Sequence, residues 1–419
     1  MSEAILTGAE ARGQKRGASV LGGALIVAGT SIGAGMFSLP VITSGAWFGW
    51  SLVMLLIGWY CMYSAGLYLL EANLRHREGA SFDTMAQATL GNTGRLVNGL
   101  AVGFVCYILT YAYISGGSSI IAHTLQSVAG LNVDSEVAGT LFALVLGSIV
   151  VFGPMAVDKA TTVMLGAMVI AFLWFSGGLM GSVSTENLFN GLPLSESSPF
   201  ALSMISFIAV SFGFQTCVPS LTGYMKRDSG SLKSAILIGS VLTLAFYLVW
   251  QLVILGNLSR DQFPAIIADG GNIGDLVLAL EQTGLNMSTS KMLQLFSHLA
   301  VATSFLGVSM GLFDYIADFF GFSNDLQGRL KTAAVTFVPP TVLGVMLPNG
   351  FIAAIGFAGI GAVTFSVLSP VLMALKGRSE RDEFQVSGGK PRVALVFGFG
   401  LTVLVLEVVN LMGMLPTFG

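Results

Sequence analysis

Residues 26–40 read IVAGTSIGAGMFSLP. The stretch is apolar enough for the middle of a membrane-spanning helix, yet it holds Gly29, Gly33 and Gly35 and closes on Pro40, residue types that weaken or stop helices. What they are for depends on the solvent around the chain. Of 419 residues, 54% are hydrophobic and 10% charged, with a mean hydropathy of +0.80; a soluble domain carries about a quarter charged residues. The chain is therefore read as an all-α integral membrane protein. Apolar runs recur at 19–43, 48–70, 96–127, 137–156, 160–183, 200–225, 235–256, 292–320, 332–348, 351–375 and 393–413. Most exceed the roughly 20 residues a helix needs to cross the hydrocarbon layer, and none alternates as barrel strands do. Eleven spanning helices are expected.

Lysine and arginine give the orientation. With the N-terminus inside, the inner segments hold Arg12, Lys15 and Arg16, then Arg75, Arg77 and Arg95, Lys159, Lys226, Arg227 and Lys233, Arg329 and Lys331, and finally five cations from Lys376 to Arg392. Only Arg260 and Lys291 fall outside, where Asp134, Glu136, Glu186, Glu196, Asp261, Asp269, Asp275 and Glu281 also lie. That bias predicts a cytoplasmic N-terminus and, with eleven spans, a periplasmic C-terminus. The first 18 residues are polar, so the first helix is expected to act as the insertion signal. Cys61, Cys106 and Cys217 fall within apolar runs at spacings unlike a metal motif and read as packing residues. The net charge of -3 implies no nucleic-acid partner. No run is polar and long enough for a separate soluble domain, and neither a cofactor nor an obligate protein partner is expected.

Three readings of the opening stretch compete. Gly29–Gly33, GTSIG, matches the G-x-S-x-G nucleophile elbow of serine hydrolases, which needs a strand-to-helix turn and a His partner; an intramembrane protease using Ser31 with His123 or His298 is the enzyme alternative. Gly29 and Gly33 also satisfy G-x-x-x-G, which lets helices pack closely. The third reading treats Gly29 to Gly35 as an unwound break. A second break favours it: SFGFQTCVPSLTG, residues 211–223, sets Gly213, Pro219 and Gly223 among Ser211, Gln215, Thr216, Ser220 and Thr222 in an otherwise apolar run. Unsatisfied backbone at membrane depth is tolerated only where it lines a cavity, and paired broken helices in corresponding positions mark a transporter's substrate site.

Unwinding exposes N–H groups at the positive end of one half-helix and carbonyls at the end of the other. A zwitterion matches that polarity. The N–H groups around Gly33, Ala34 and Gly35 suit a carboxylate, while carbonyls of the first and sixth helices suit an ammonium, so an amino acid is the expected substrate. For its side chain, Tyr107 and Tyr111 stand at i and i+4 on the third helix, and the sixth offers Phe212 and Phe214. Aromatic faces suit an aromatic guest, although such stripes also serve plain packing. Ser211, Phe214, Gln215 and Thr216 complete the candidate substrate contacts.

The blocks IVAGTSIGAGMFSLP, GAWFGW, LLEANL, ILTYAYIS, SFGF followed by VPS, ATSFLGVSMGLFDYIADFFGF, LPNGF and GGKP resemble the tryptophan and tyrosine permeases of the hydroxy and aromatic amino acid permease family, with GAWFGW and EANLRHREGASFDT nearer its tryptophan branch. The resemblance runs from the first helix to the C-terminus. It implies a leucine-transporter-type fold, two inverted five-helix repeats plus an eleventh helix, and uptake of aromatic amino acids driven by a cation gradient across the bacterial inner membrane. On this chain the repeats fall at 19–183 and 200–375. A tail (1–18), a periplasmic connection (184–199), a cytoplasmic loop (376–392) and the eleventh helix with the C-terminus (393–419) complete the division.

Two positions depart from that family's pattern. Gln215 and Thr216 stand where it usually has His-Gly, and Met168 replaces its usual helix-five Lys. Both changes remove titratable groups, which leaves room for a true cation. Hard cations take oxygen ligands, and the carbonyls of Gly29, Ile32 and Ala300 with the hydroxyls of Thr303 and Ser304 resemble the sodium site of this fold. The hydroxyls also have the bland reading of back-bonds to helix carbonyls. The family's general coupling is to protons, so the coupling ion is H+ or Na+.

Among other polar residues in the spans, His123 and His298 are expected to hydrogen-bond near the outer interface. Glu71, Asp314 and Asp318 are expected to pair with loop cations at the inner face and gate the cytoplasmic exit, and Glu407 to pack or face a partner. Gly270–Gly284 predicts a short amphipathic helix on the outer face, either a lid or an interfacial helix. A channel would need a continuous polar lining, which no span shows.

Overall fold

The computed structural model describes residues 19–189, 193–378 and 384–418. Every regular element among them is helical. Helix one is a bent pair, Val20–Ser31 and Ala34–Thr43, set at 54°. Helices two to five are Trp47–Leu74, Phe82–Ala129, Ser135–Phe152 and Pro154–Met180. Helices six to eight are Ile205–Tyr224, Ser229–Asn257 and Met287–Phe320. Leu326–Met346, Phe351–Lys376 and Gly389–Leu411 are helices nine to eleven. Among the described residues nine helices are long and apolar enough to span a bilayer, ten with the bent pair. Helix nine has 21 residues, enough at about 1.5 Å of rise per residue, but Arg329, Lys331 and its three threonines make it the more polar one, and it is not among those ten.

The ends follow ordinary helix chemistry. Ser19, Ser81, Asp228, Asn286 and Asp325 cap helices one, three, seven, eight and nine, each accepting a first-turn backbone N–H, which satisfies donors a helix start leaves orphaned. Helices three and eight stop at Gly130 and Gly321, whose φ of 67° and 64° lies in the left-handed region that favours glycine. Helix three begins at Phe82, earlier than its apolar run, and is non-helical at Gly91. The expected short helix between seven and eight is present as Ile273–Glu281.

Helix one's first half packs against helix seven, helix five against eight, and helix three against eight and ten. Val163, Ile170, Leu173 and Trp174 of helix five are all more than half exposed, as residues facing lipid are. For description we call the side carrying most Lys and Arg the basic face and the other the acidic face. At the basic face Glu71, fully buried, accepts hydrogen bonds from Arg75, from Arg378 Nε at 2.8 Å and Nη2 at 3.1 Å, and from the Val386 N–H at 2.8 Å. The chain after helix ten is thereby strapped to helix two, and Glu71 meets the cations expected of it. Arg329 turns elsewhere, donating to the Val151 carbonyl at 2.9 Å and Asn324 Oδ1 at 2.7 Å rather than to Asp314 or Asp318. Glu407 is buried in helix eleven, within 3.4 Å of Asn410 Nδ2.

Candidate functional site

Helix one runs unbroken through Gly29 and Thr30 and stops at Ser31. The break is therefore shorter than Gly29–Gly35: Ile32 and Gly33 are non-helical and Ala34–Phe37 is a 3-10 turn. Gly29 keeps helical geometry because the hydrogen-bond ladder around it continues to Ser31, so a single glycine weakens the helix without ending it. Gly33 has an extended backbone, φ -174°, open to any residue. What demands glycine there is proximity, since a Cβ would run into Ser304 Oγ. That hydroxyl accepts the Ala34 N–H at 2.9 Å. Among the described residues the Gly33 and Gly35 N–H groups have no hydrogen-bond acceptor.

Helix six breaks in the corresponding way. Ile205–Ser211 ends, Phe212–Phe214 is irregular, Gln215–Cys217 is a 3-10 turn, and Val218–Tyr224 resumes with Pro219 in its first turn. Pro219 and Gly223 thus belong to the second half-helix, where proline near the start is well tolerated. The two breaks touch. Ser211 Oγ lies 3.4 Å from the Gly35 carbonyl while donating to the Phe207 carbonyl at 2.8 Å, and the Cys217 thiol lies beside Thr30.

The flanking residues sort into those at the breaks and those turned away. Ala300 O and Ser304 border Gly33; Thr303 Oγ1 is back-bonded to the Leu299 and Ala300 carbonyls at 2.9 and 3.2 Å. Tyr107 donates to the Val335 carbonyl and Tyr111 to the Leu347 carbonyl, each at 2.8 Å, so this face of helix three meets helix nine. At 100° per residue, Tyr113 points the other way; it is buried and lies beside Ser304. Phe214 is buried against Gly66 of helix two, where a Cβ would stand 2.5 Å from its Cζ. Gln215, also buried, donates from Nε2 to the Met62 carbonyl at 3.1 Å. Thr216 is exposed on the 3-10 turn, and Met168 is buried in helix five.

Helix seven supplies what sequence reasoning missed. Tyr247 OH lies 2.7 Å from the Ser31 carbonyl and 2.5 Å from the Ser211 carbonyl, and Trp250 Nε1 donates to the Met36 carbonyl at 2.9 Å. Gln251 Nε2 donates to Thr43 Oγ1 at 2.9 Å. Polar groups in FYLVWQL, residues 246–252, were the available signal. On the acidic-face side of the breaks Phe37, Phe175, Trp250 and Phe296 form a buried aromatic cluster with ring centroids 5.1–5.9 Å apart. Above it, Glu281 of the short helix accepts from Ser290 at 2.5 Å and Gln294 at 2.8 Å and pairs with His123 at 2.9 Å. His298 contacts Thr124 at 2.8 Å. Asn272, Asp275, His123, Asp134 and Asn349 line a polar cavity of about 260 Å³ beside this helix. Burial pushes the Asp275 carboxyl up to about 6.

Comparison with known proteins decides the assignment. The sequence model of the tryptophan/tyrosine permease family matches residues 16–407. The chain belongs to that family. A tryptophan-specific transport protein of Pseudomonas aeruginosa is 45% identical, over 99% of this chain and 100% of its own. One from Shigella flexneri is 44% identical over 96% and 97%, and a tyrosine permease of Enterobacter agglomerans 37% over 95% and 98%. Membership makes the chain a permease and not an enzyme. The protease alternative also fails on geometry: Ser31 Oγ of this permease points back to the Val27 carbonyl at 3.4 Å, while His123 and His298 are engaged elsewhere.

Proposed function

We propose that this permease is a secondary transporter importing an aromatic amino acid, tryptophan first, by symport with a cation. The observation that carries the reading is the meeting of two interrupted helices at Gly33–Gly35 and Ser211–Thr216, with backbone N–H groups left free beside half-helix carbonyl ends. The names of the relatives supply the substrate class. On this reading the free N–H groups of Gly33 and Gly35 hold the carboxylate while Ser304 Oγ keeps the Ala34 N–H between them in place, carbonyls at the ends of the first half-helices hold the ammonium, and Ser211, Gln215 and Thr216 lie alongside. Tyr113, not Tyr107 or Tyr111, is helix three's aromatic group toward the breaks, and Phe214 packs against helix two rather than against the substrate. A sodium ion, where that is the coupling ion, takes oxygens from Gly29, Ile32, Ala300, Thr303 and Ser304.

The same reading carries the two inverted five-helix repeats, residence in the bacterial inner membrane and a cytoplasmic N-terminus, the last from the lysine and arginine bias. The deciding test is uptake of labelled tryptophan into proteoliposomes under an imposed sodium gradient and, separately, an imposed pH gradient. Concentrative uptake under one of the two names the coupling ion. None under either sinks the symporter reading.

A further inference from the structure

Ser31 and Ser211 are the last residues of the first half of each broken helix. Their carbonyls belong to the set a helix end leaves without an intrahelical donor. Among the described residues one donor reaches them both, the Tyr247 hydroxyl, at 2.7 and 2.5 Å. Tyr247 is fully buried, and its ring meets Phe212 edge-on at a centroid distance of 5.0 Å. A phenol carries one proton. Two carbonyls share it only while both point at the same spot, so this contact fixes their separation as well as satisfying them. Trp250, one turn on, serves helix one alone through the Met36 carbonyl.

We propose that Tyr247 is a positioning residue that pins the two half-helix ends to each other and thereby sets the width of the substrate gap. This rests on the reading that substrate lies between the breaks. Each carbonyl oxygen keeps a second lone pair, so the pin leaves room for a substrate ammonium while holding its acceptors at a fixed spacing. Because one hydroxyl serves both ends, losing it loosens both breaks together.

The test is Tyr247→Phe in the full chain, which keeps the ring against Phe212 and removes only the O–H. Hydrogen exchange is followed by mass spectrometry, without substrate, in peptides covering residues 28–40 and 208–220. Exchange in both is expected to quicken at least tenfold. In proteoliposomes KM for tryptophan is expected to rise about tenfold with Vmax within about twofold, the pattern of lost binding geometry. Should Tyr247→Phe fold poorly, 3-fluorotyrosine at position 247, nearly the same shape with a stronger donor, is expected to protect both breaks at least as well as the native residue. Loosening of one break alone, of neither, or weaker protection with fluorotyrosine overturns the pin. Absence of tryptophan uptake by the unaltered protein refutes the substrate reading instead, and the exchange result then stands separately.

Discussion

Gly33→Ala is the substitution whose consequence follows most directly from the break in helix one. The extended φ of -174° costs alanine nothing, so the whole effect comes from the methyl group meeting Ser304 Oγ. That hydroxyl can swing away only by abandoning the Ala34 N–H it accepts at 2.9 Å. An orphaned buried N–H costs about 1–3 kcal/mol, and overpacking about 1–3 kcal/mol. The break shifts to relieve this, and returning it to the binding geometry then costs about 3 kcal/mol in all, so at about 1.4 kcal/mol per tenfold apparent tryptophan affinity should fall about 100-fold in an equilibrium binding assay. Adding Ser304→Ala removes the clash, because Ser304 Cβ would stand 3.6 Å from the new methyl, an ordinary contact. The lost N–H bond is not restored, so the double variant should recover about half of the free energy. Wild-type affinity for Gly33→Ala, or no recovery in the double variant, would refute the reasoning.

Other outcomes follow from the same structure. Glu71→Ala removes an acceptor from Arg378 and Val386; breaking such a buried pair should lower stability by about 3–5 kcal/mol, read by thermal unfolding in detergent and by faster proteolysis at residues 384–388. Phe214→Ala empties the space over Gly66 and should cost about 3–5 kcal/mol of stability, while tryptophan affinity of the folded fraction changes less than about threefold. Asp275 has a folded-state value of about 6 against an ordinary 3.8, so its protonated form favours the folded short helix. The stability this contributes is present at low pH and is lost as pH rises from 3.8 through about 6. Allowing for solvent screening, lowering pH from about 7 to about 5 should steady the short helix by about 1 kcal/mol, seen as slower hydrogen exchange in residues 272–281, and Asp275→Asn should remove that dependence.

The breaks were legible because glycine and proline inside an apolar run contradict the helix around them. Their limits were not, since Gly29 and Pro219 are each compatible with a helix in the right place, one within the ladder and the other in a first turn. Helix rotation was the second thing the sequence left open. A soluble helix shows its inner face by polarity, but a membrane helix is apolar nearly all round, so the sequence offered Tyr107 and Tyr111 and passed over Tyr113, whereas the packing turns the first two toward helix nine. Tyr247 and Trp250 escaped notice for the same reason: on an apolar helix they read as bulk, and their polar atoms gain meaning only when unpaired carbonyls stand within reach. Ser304, chosen as an oxygen ligand, also serves as the acceptor that ties down Ala34.

The central claim is that backbone at two helix breaks recognises both charges of an amino acid. Competition of labelled tryptophan binding by tryptamine, which lacks the carboxylate, and by indole-3-propionate, which lacks the ammonium, tests it most directly. Each missing charge-assisted hydrogen-bond set is worth about 3 kcal/mol or more, so each analogue should bind at least about 100-fold more weakly than tryptophan. An analogue that competes as well as tryptophan itself would contradict the claim and move recognition away from the breaks.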